Sequence, residues 1–132
     1  MIQSRRKFLA QSSLFTTFAI SGTKSSGKIT GANERINVAV CGIKSRGTAH
    51  IGGHGRQKNV AISHLVEPDA RLHQARSKFV QSKFKNTPKC IQDVRRALED
   101  KNVDVISIAT PNHWHSLMSI WACQAGKDVY VE

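Results

Sequence analysis

Cysteine, proline and long apolar runs are scarce in this chain of 132 residues, and each shortage excludes a class of protein. The three cysteines are widely separated and form neither a disulfide framework nor a zinc-binding pattern. Three prolines and nine glycines are too few for a collagen-like or low-complexity chain. No apolar run approaches the roughly 20 residues that cross a bilayer, so we expect no stable membrane span. The 39% of hydrophobic residues suffices for one folded domain.

Acidic residues are also in short supply, with 9 Asp and Glu against 20 Lys and Arg, for a formal net charge of +11. Residues 1–30 hold five of the basic residues and none of the acidic ones, which leaves +6 on residues 31–132. A positive balance can indicate nucleic-acid binding. Here the basic residues are dispersed over several segments without interleaved aromatic residues, so we expect no nucleic-acid partner.

The first thirty residues have the organisation of an export signal. Residues 4–9 read Ser-Arg-Arg-Lys-Phe-Leu, a mildly apolar stretch follows at 13–20, and small polar residues come next. The pair Arg5 and Arg6 resembles the twin-arginine signal of bacteria. We therefore expect a signal peptide and linker over residues 1–30 and an exported, periplasmic protein. A disordered basic tail is the alternative, because no good Ala-x-Ala site follows.

Short apolar runs alternate with amphipathic segments over the rest of the chain. This alternation predicts an α/β fold with a doubly wound parallel sheet of the Rossmann type over residues 31–132. The expected strands lie at 36–41, 60–66, 89–91 and 103–109, with a last one starting at 128. One helix is expected from Pro68 to about Phe84, and another begins after Asp93, its capping residue. A further helix is expected from His115 to Ala125, and Gly126 ends it. Its apolar stripe consists of Leu117, Ile120 and Trp121.

The turn after the first strand carries two of the three glycines of a dinucleotide-binding turn. Gly42 would permit the tight bend, and Gly47 would allow the helix to pack close to the strand. Lys44 stands at the middle position. Lys44 and Arg46 could present positive charge to a pyrophosphate, or could be solvated loop charges beside ordinary turn glycines. The glycine-rich segment 50–55 suggests a short or irregular helix. The candidate cofactor-binding residues of this turn are Gly42, Ile43, Lys44, Arg46 and Gly47.

A carboxylate follows the second strand directly. Glu67 lies 20 residues after Gly47, where a carboxylate can accept hydrogen bonds from the adenine-ribose diol of NAD and repel the 2′-phosphate of NADP. NADP stays possible, because Arg71 or Lys44 could accept that phosphate. The alternative is that Glu67 is an acid at a helix N-terminus, favoured by the helix dipole.

The segments that follow the expected strand at 103–109 and the expected helix at 115–125 are the most specific part of the sequence. Residues 109–115 read Ala-Thr-Pro-Asn-His-Trp-His, and residues 126–132 read Gly-Lys-Asp-Val-Tyr-Val-Glu. Together with the glycine turn and Glu67, they resemble the Gfo/Idh/MocA oxidoreductase family from about Arg35 to Glu132. The resemblance implies that the first segment lines the cofactor groove near the nicotinamide end. It implies cofactor-site roles for Thr110, Pro111, Asn112, His115 and Glu132.

The same resemblance implies chemistry that this chain does not contain. In the family, the pattern continues with Lys-Pro after the acid, and the proton-transferring groups belong to a C-terminal domain. We therefore expect a truncated Rossmann domain with no catalytic residue of its own, which binds dinucleotide without turnover. A full-length relative would act on a sugar or polyol hydroxyl. A free-standing module completed by a partner chain is the alternative.

Two histidine pairs have spacings that metal ligands can use, within 113–115 and 50–54. Neither has an obvious third ligand, so no metal site is expected. Met118 and Trp121 are expected in the helix core rather than at the cofactor, and Cys41 is expected to be an inert buried residue.

Overall fold

Five parallel strands form the sheet of the structure, a computed structural model that describes residues 35–132. The predicted export signal over residues 1–30 lies outside the described residues. The strands are β1 (Ile36–Cys41), β2 (Val60–Val66), β3 (Lys89–Ile91), β4 (Val105–Ile108) and β5 (Asp128–Val131), in the spatial order β3-β2-β1-β4-β5. Because β1 lies at the centre with helices on both faces, its side chains are almost all apolar.

Helices connect consecutive strands, as the alternation of the sequence predicts. They are α1 (Ser45–Gly55), α2 (His73–Phe84), α3 (Val94–Glu99) and α4 (His115–Gln124), with single 3-10 turns at Ala70–Leu72 and Asn112–Trp114. Helices α1 and α2 pack on one face of the sheet, and α3 and α4 pack on the other. The predicted doubly wound α/β fold of the Rossmann type is confirmed.

Alternate residues of β1 supply two cores, one on each face of the sheet. Val38 and Val40 pack with Ile51 of α1 and Val80 of α2. Residues 39 and 41 point the other way, into a core completed by α3, α4 and β4. Each fully buried valine or isoleucine side chain in these cores contributes about 1.5–3 kcal/mol of hydrophobic stabilisation. The Cys41 thiol is fully buried, and burial raises its pKa to about 12, so it is inert as expected.

Helix α4 buries a different stripe from the one predicted. Leu117 and Ile120 are 39% and 53% exposed, so their assignment to the buried stripe is wrong. The helix packs on the sheet through Met118, Trp121 and Ala122, which follow the i, i+3, i+4 spacing equally well. Of the predicted stripe, only Trp121 faces the core.

Helix α1 is regular over 11 residues, so the expectation of a short or irregular helix is wrong. Tertiary packing outweighs the low helix propensity of its glycines. Ile51 is fully buried on the sheet, and a Cβ atom on Gly55 would come within 2.7 Å of the Phe84 ring. Helix α2 also begins later than expected, at His73, because Asp69 caps a separate 3-10 turn at Ala70–Leu72.

Candidate functional site

Three sequence-predicted segments meet at the carboxyl edge of the sheet. The parallel register places Cys41, the last residue of β1, opposite Val66 of β2 and Ile108 of β4. The glycine turn, Glu67 and the segment that begins at Thr110 therefore leave neighbouring strands side by side. In open α/β sheets, ligands bind outside the carboxyl ends of the strands.

The glycine turn has the close backbone approach that a dinucleotide-binding turn requires. Gly42 has a φ of +79°, and a Cβ atom there would lie 2.7 Å from the carbonyl oxygen of Ala109. A Cβ atom on Gly47 would lie only 1.7 Å from the carbonyl oxygen of Gly42. Lys44, at the middle position, has a negative φ of −76°, so this position does not require glycine for a left-handed backbone.

The N-terminus of α1 is suited to an anion. Lys44, its capping residue, makes no side-chain cap, and the first turn holds no acidic residue. The first backbone N–H groups of a helix lack intrahelical partners and carry partial positive charge. Lys44 and Arg46 are exposed beside them. The Arg46 guanidinium donates to the carboxylate of Glu132, which directly follows β5. This hydrogen bond holds the pKa of Glu132 below its usual value, and the charges of Arg46 and His50 act in the same direction with smaller effect.

Glu67 is fixed between two loops and is only 8% exposed. Its Oε2 accepts a hydrogen bond from the backbone N–H of Ile43 at 3.2 Å, and its Oε1 accepts one from the backbone N–H of Asp69 at 3.3 Å. Helix α2 begins only at His73, so Glu67 is not an N-terminal acid of that helix. The carboxylate instead joins the glycine turn to the loop after β2.

A cavity of about 510 Å³ lies beside Glu67. Its walls combine aromatic, thioether and proline groups with a few polar ones, a lining that suits a flat heteroaromatic ring such as adenine. Met118 and Trp121 pack on the core and also line the cavity, so the assignment to the core alone is incomplete. The cavity is lined by Cys41, Gly42, Val66, Glu67, Pro68, Gln92, Asp93, Val94, Arg95, Thr110, Pro111, Trp114, Met118 and Trp121.

The remaining predicted residues do not line this cavity. His115 Nε2 donates to the carbonyl oxygen of Thr110 at 2.7 Å and so fixes the loop after β4. Asn112 is exposed in the 3-10 turn. Arg71 is exposed and forms an ion pair with Asp69. Their roles in cofactor binding stay predictions.

A polar cluster between α1 and the β4–β5 half of the sheet was not predicted from the sequence. The fully buried Ser107 hydroxyl makes hydrogen bonds to His50 Nδ1 at 2.9 Å and to His54 Nε2 at 3.0 Å. Both rings also pack edge-on against Tyr130, and His50 Nε2 lies 3.5 Å from Glu132 Oε2. The i, i+4 spacing of the histidines was the available signal. Within residues 35–132, no three His, Cys, Asp or Glu side chains are grouped to hold a metal ion.

No helix in the described part of the chain has the length and apolar composition needed to cross a membrane.

Fold and site together define a dinucleotide-binding domain of the Rossmann type. Gly42 and Gly47 allow its close backbone approach, the N-terminus of α1 has no side-chain cap, and a fixed acid follows β2. The sequence profile of the Gfo/Idh/MocA family, described as an oxidoreductase family with an NAD-binding Rossmann fold, matches residues 36–132. The chain belongs to this family.

Curated relatives and solved structures agree with this assignment. The chain is 27% identical over 121 residues, 89% of its length, to glycosyl hydrolase family 109 protein 2 of Shewanella sp. strain ANA-3. It is 26% identical to GenD2 from gentamicin A biosynthesis, solved in complex with NAD, with a TM-score of 0.63 over 74% of this chain and 26% of that one. It is 30% identical to an NAD binding oxidoreductase from Klebsiella pneumoniae, with a TM-score of 0.59 over 74% of this chain and 27% of that one.

The fold is also that of scyllo-inositol dehydrogenase from Lactobacillus casei, solved with NAD(H) and scyllo-inositol, at 15% identity and a TM-score of 0.62 over 74% of this chain and 28% of that one. The chain spans about a quarter of the length of the curated relatives it matches, 26% of the Shewanella ANA-3 protein and 23% of the Shewanella pealeana one.

Proposed function

We propose that this chain binds NAD in preference to NADP, with the adenosine half of the cofactor in the cavity beside Glu67. The observation that carries the proposal is the Glu67 carboxylate, held by two backbone N–H groups at the edge of a cavity with aromatic walls. A carboxylate fixed in this way can accept both hydroxyl protons of a ribose diol. Its charge opposes a 2′-phosphate at the same position.

The other parts of the site have complementary roles. The backbone N–H groups at the start of α1 and the exposed Lys44 would hold the pyrophosphate. Thr110 and Pro111 would form the wall opposite Glu67. Bound NAD supplies the hydride acceptor of the reaction, and this chain binds and orients it.

For the whole protein, we propose oxidation of a sugar or polyol hydroxyl. The resemblance to the Gfo/Idh/MocA oxidoreductase family supports this substrate class. A second candidate is glycoside hydrolysis, which the names of the Shewanella relatives favour. The two differ in the balance of the reaction, because oxidation of a hydroxyl accumulates reduced cofactor whereas hydrolysis releases free sugar without net reduction.

Calorimetric titration of the 132-residue chain with NAD and NADP tests the cofactor proposal. Glu67→Gln keeps one acceptor oxygen for the Ile43 N–H group but removes the charge. We expect NAD affinity to fall about tenfold, the cost of a hydrogen bond to a charged group, and the preference over NADP to narrow. Glu99→Gln removes an equivalent charge from the exposed end of α3 and should change neither affinity. Equal binding of the two cofactors by the unaltered chain would contradict the proposal.

We also propose that the protein is exported by the twin-arginine route. Arg5 and Arg6 in the Ser-Arg-Arg-Lys-Phe-Leu string, followed by only a mildly apolar stretch, support it. A reporter fused after residue 31 should reach the periplasm, and changing both arginines to lysine should retain it in the cytoplasm. Lysine keeps the positive charge, so a general requirement for basic residues would leave export unchanged, and that result would overturn the proposal.

A further inference from the structure

The two loops that hold the Glu67 carboxylate also carry Lys44 and Arg71, and Arg71 is already engaged in an ion pair. The Asp69 carboxylate forms a two-pronged ion pair with Arg71, in which Nε donates to Oδ1 at 2.8 Å and Nη2 donates to Oδ2 at 2.9 Å. The same Oδ1 accepts the backbone N–H of Arg71 at 3.1 Å. Lys44, the other cation, is exposed and bears no such pair among the described contacts.

Asp69 stands between Glu67 and Arg71. Its backbone N–H donates to Glu67 Oε1 at 3.3 Å, while its side chain faces Arg71. Hydrogen bonds from Arg71, followed by smaller effects that include the charge of Lys44, hold the pKa of Asp69 at about 2. The carboxylate is therefore charged throughout the physiological range.

The ion pair occupies N–H groups of Arg71 that could otherwise donate to a phosphate. A guanidinium recognises a phosphate through paired parallel N–H groups, and in Arg71 one such pair is directed at Asp69. A 2′-phosphate on a ribose bound at Glu67 would meet the Glu67 charge, and the Arg71 guanidinium would already be paired with Asp69.

We propose that Asp69 is a second determinant of cofactor choice, which favours NAD by holding the Arg71 guanidinium away from a 2′-phosphate. The inference rests on the proposed binding of the adenosine ribose at Glu67. Asp69 acts through Arg71, so its effect depends on the presence of the arginine. This dependence separates it from Glu67, whose charge acts on the ribose directly.

The test is Asp69→Asn in the full chain. Asparagine can still accept the backbone N–H of Arg71 and so preserves the 3-10 turn, while the charge that holds the guanidinium is lost. In calorimetric titrations we expect NADP to bind about tenfold more tightly, as for a gained charge-assisted phosphate contact, and NAD affinity to change by less than about twofold. The double variant Asp69→Asn with Arg71→Gln should lose the gain.

Two further variants make the outcome decisive. Asp128→Asn removes one carboxylate from the exposed amino end of β5, at the opposite edge of the sheet, and should not improve NADP binding. Arg71→Gln alone should leave NADP affinity unchanged, because the arginine is already engaged. Weaker NADP binding in that variant would overturn the proposal, as would unchanged NADP binding in Asp69→Asn or a gain that survives removal of Arg71. Failure of the unaltered chain to bind NAD would instead refute the proposed function.

Discussion

Gly47 shows how a single residue couples the fold to the site. A Cβ atom there would lie 1.7 Å from the carbonyl oxygen of Gly42, a backbone atom that cannot move without opening the turn. We expect Gly47→Ala to lower the free energy of unfolding by about 3 kcal/mol or more, as for severe overpacking. Chemical denaturation of the full chain followed by circular dichroism measures this loss.

The matched control is Gly52, which lies in the same helix as Gly47. A Cβ atom on Gly52 would meet no other atom within 4 Å. Gly52→Ala should therefore raise the free energy of unfolding by about 0.5–1 kcal/mol, because alanine loses less backbone entropy in a helix. If both variants changed the free energy of unfolding equally, the requirement for Gly47 would not come from the close packing of α1 against the glycine turn.

At the scale of elements, the sequence predicts the strands better than the helix faces. A strand buried on both sides is a nearly continuous apolar run, as in residues 36–41 and 60–66. Such a strand can be predicted without deciding which of its faces is buried. Helix α4 carries apolar residues on more than one side, so periodicity alone could not decide which stripe packs on the sheet. Contacts with β4 and β5 decide it, and they depend on the completed fold.

The candidate site also contains features that the sequence predicts and features that it does not. The glycine turn, Glu67 and Thr110–Pro111 were predictable because each directly follows a strand, and parallel strands bring their carboxyl ends to one edge. The ion pair of Asp69 with Arg71 and the bonding of Ser107 to two histidines were not. The ion pair depends on the 3-10 turn at Ala70–Leu72, where the sequence pattern predicts an α-helix. The Ser107 hydrogen bonds join residues more than 50 positions apart in the sequence.

At the scale of the whole described domain, several cations make contacts within the protein. Arg46, Arg71 and Arg95 each pair with a carboxylate. The Lys127 ammonium donates to the carbonyl oxygens of Asp100 and Val103 at 2.8 and 2.7 Å and so ties the turn before β5 to the loop before β4. These cations are distributed over different elements of the fold. The Arg46 and Lys127 contacts join segments that are far apart in the sequence.

We expect two histidines on opposite faces of the sheet, His54 and His64, to make stability depend on pH. Burial, together with the charge of His50, lowers the pKa of His54 below 6.5. Burial lowers the pKa of His64 as well, with Lys89 acting in the same direction and Asp100 opposing both. The unfolded chain therefore takes up these protons at a higher pH than the folded one. The stabilisation is complete above about pH 6.5 and is lost as the pH falls through the folded-state values.

We accordingly expect the free energy of unfolding to decrease between pH 7.5 and pH 5 in chemical denaturation of the full chain. His54→Gln keeps a polar group near Ser107 but cannot take up a proton, so its free energy of unfolding should decrease less over the same interval. His113→Gln, whose ring is exposed beside Trp114, is the matched control and should follow the unaltered chain. His54 and His64 lie on opposite faces of the sheet and share no contact. In a variant that lacks both, the change in the free energy of unfolding between pH 7.5 and pH 5 should therefore be reduced by the sum of the two single effects. A chain whose stability stayed constant over this interval would show that the neutral forms of these rings are not required by the fold.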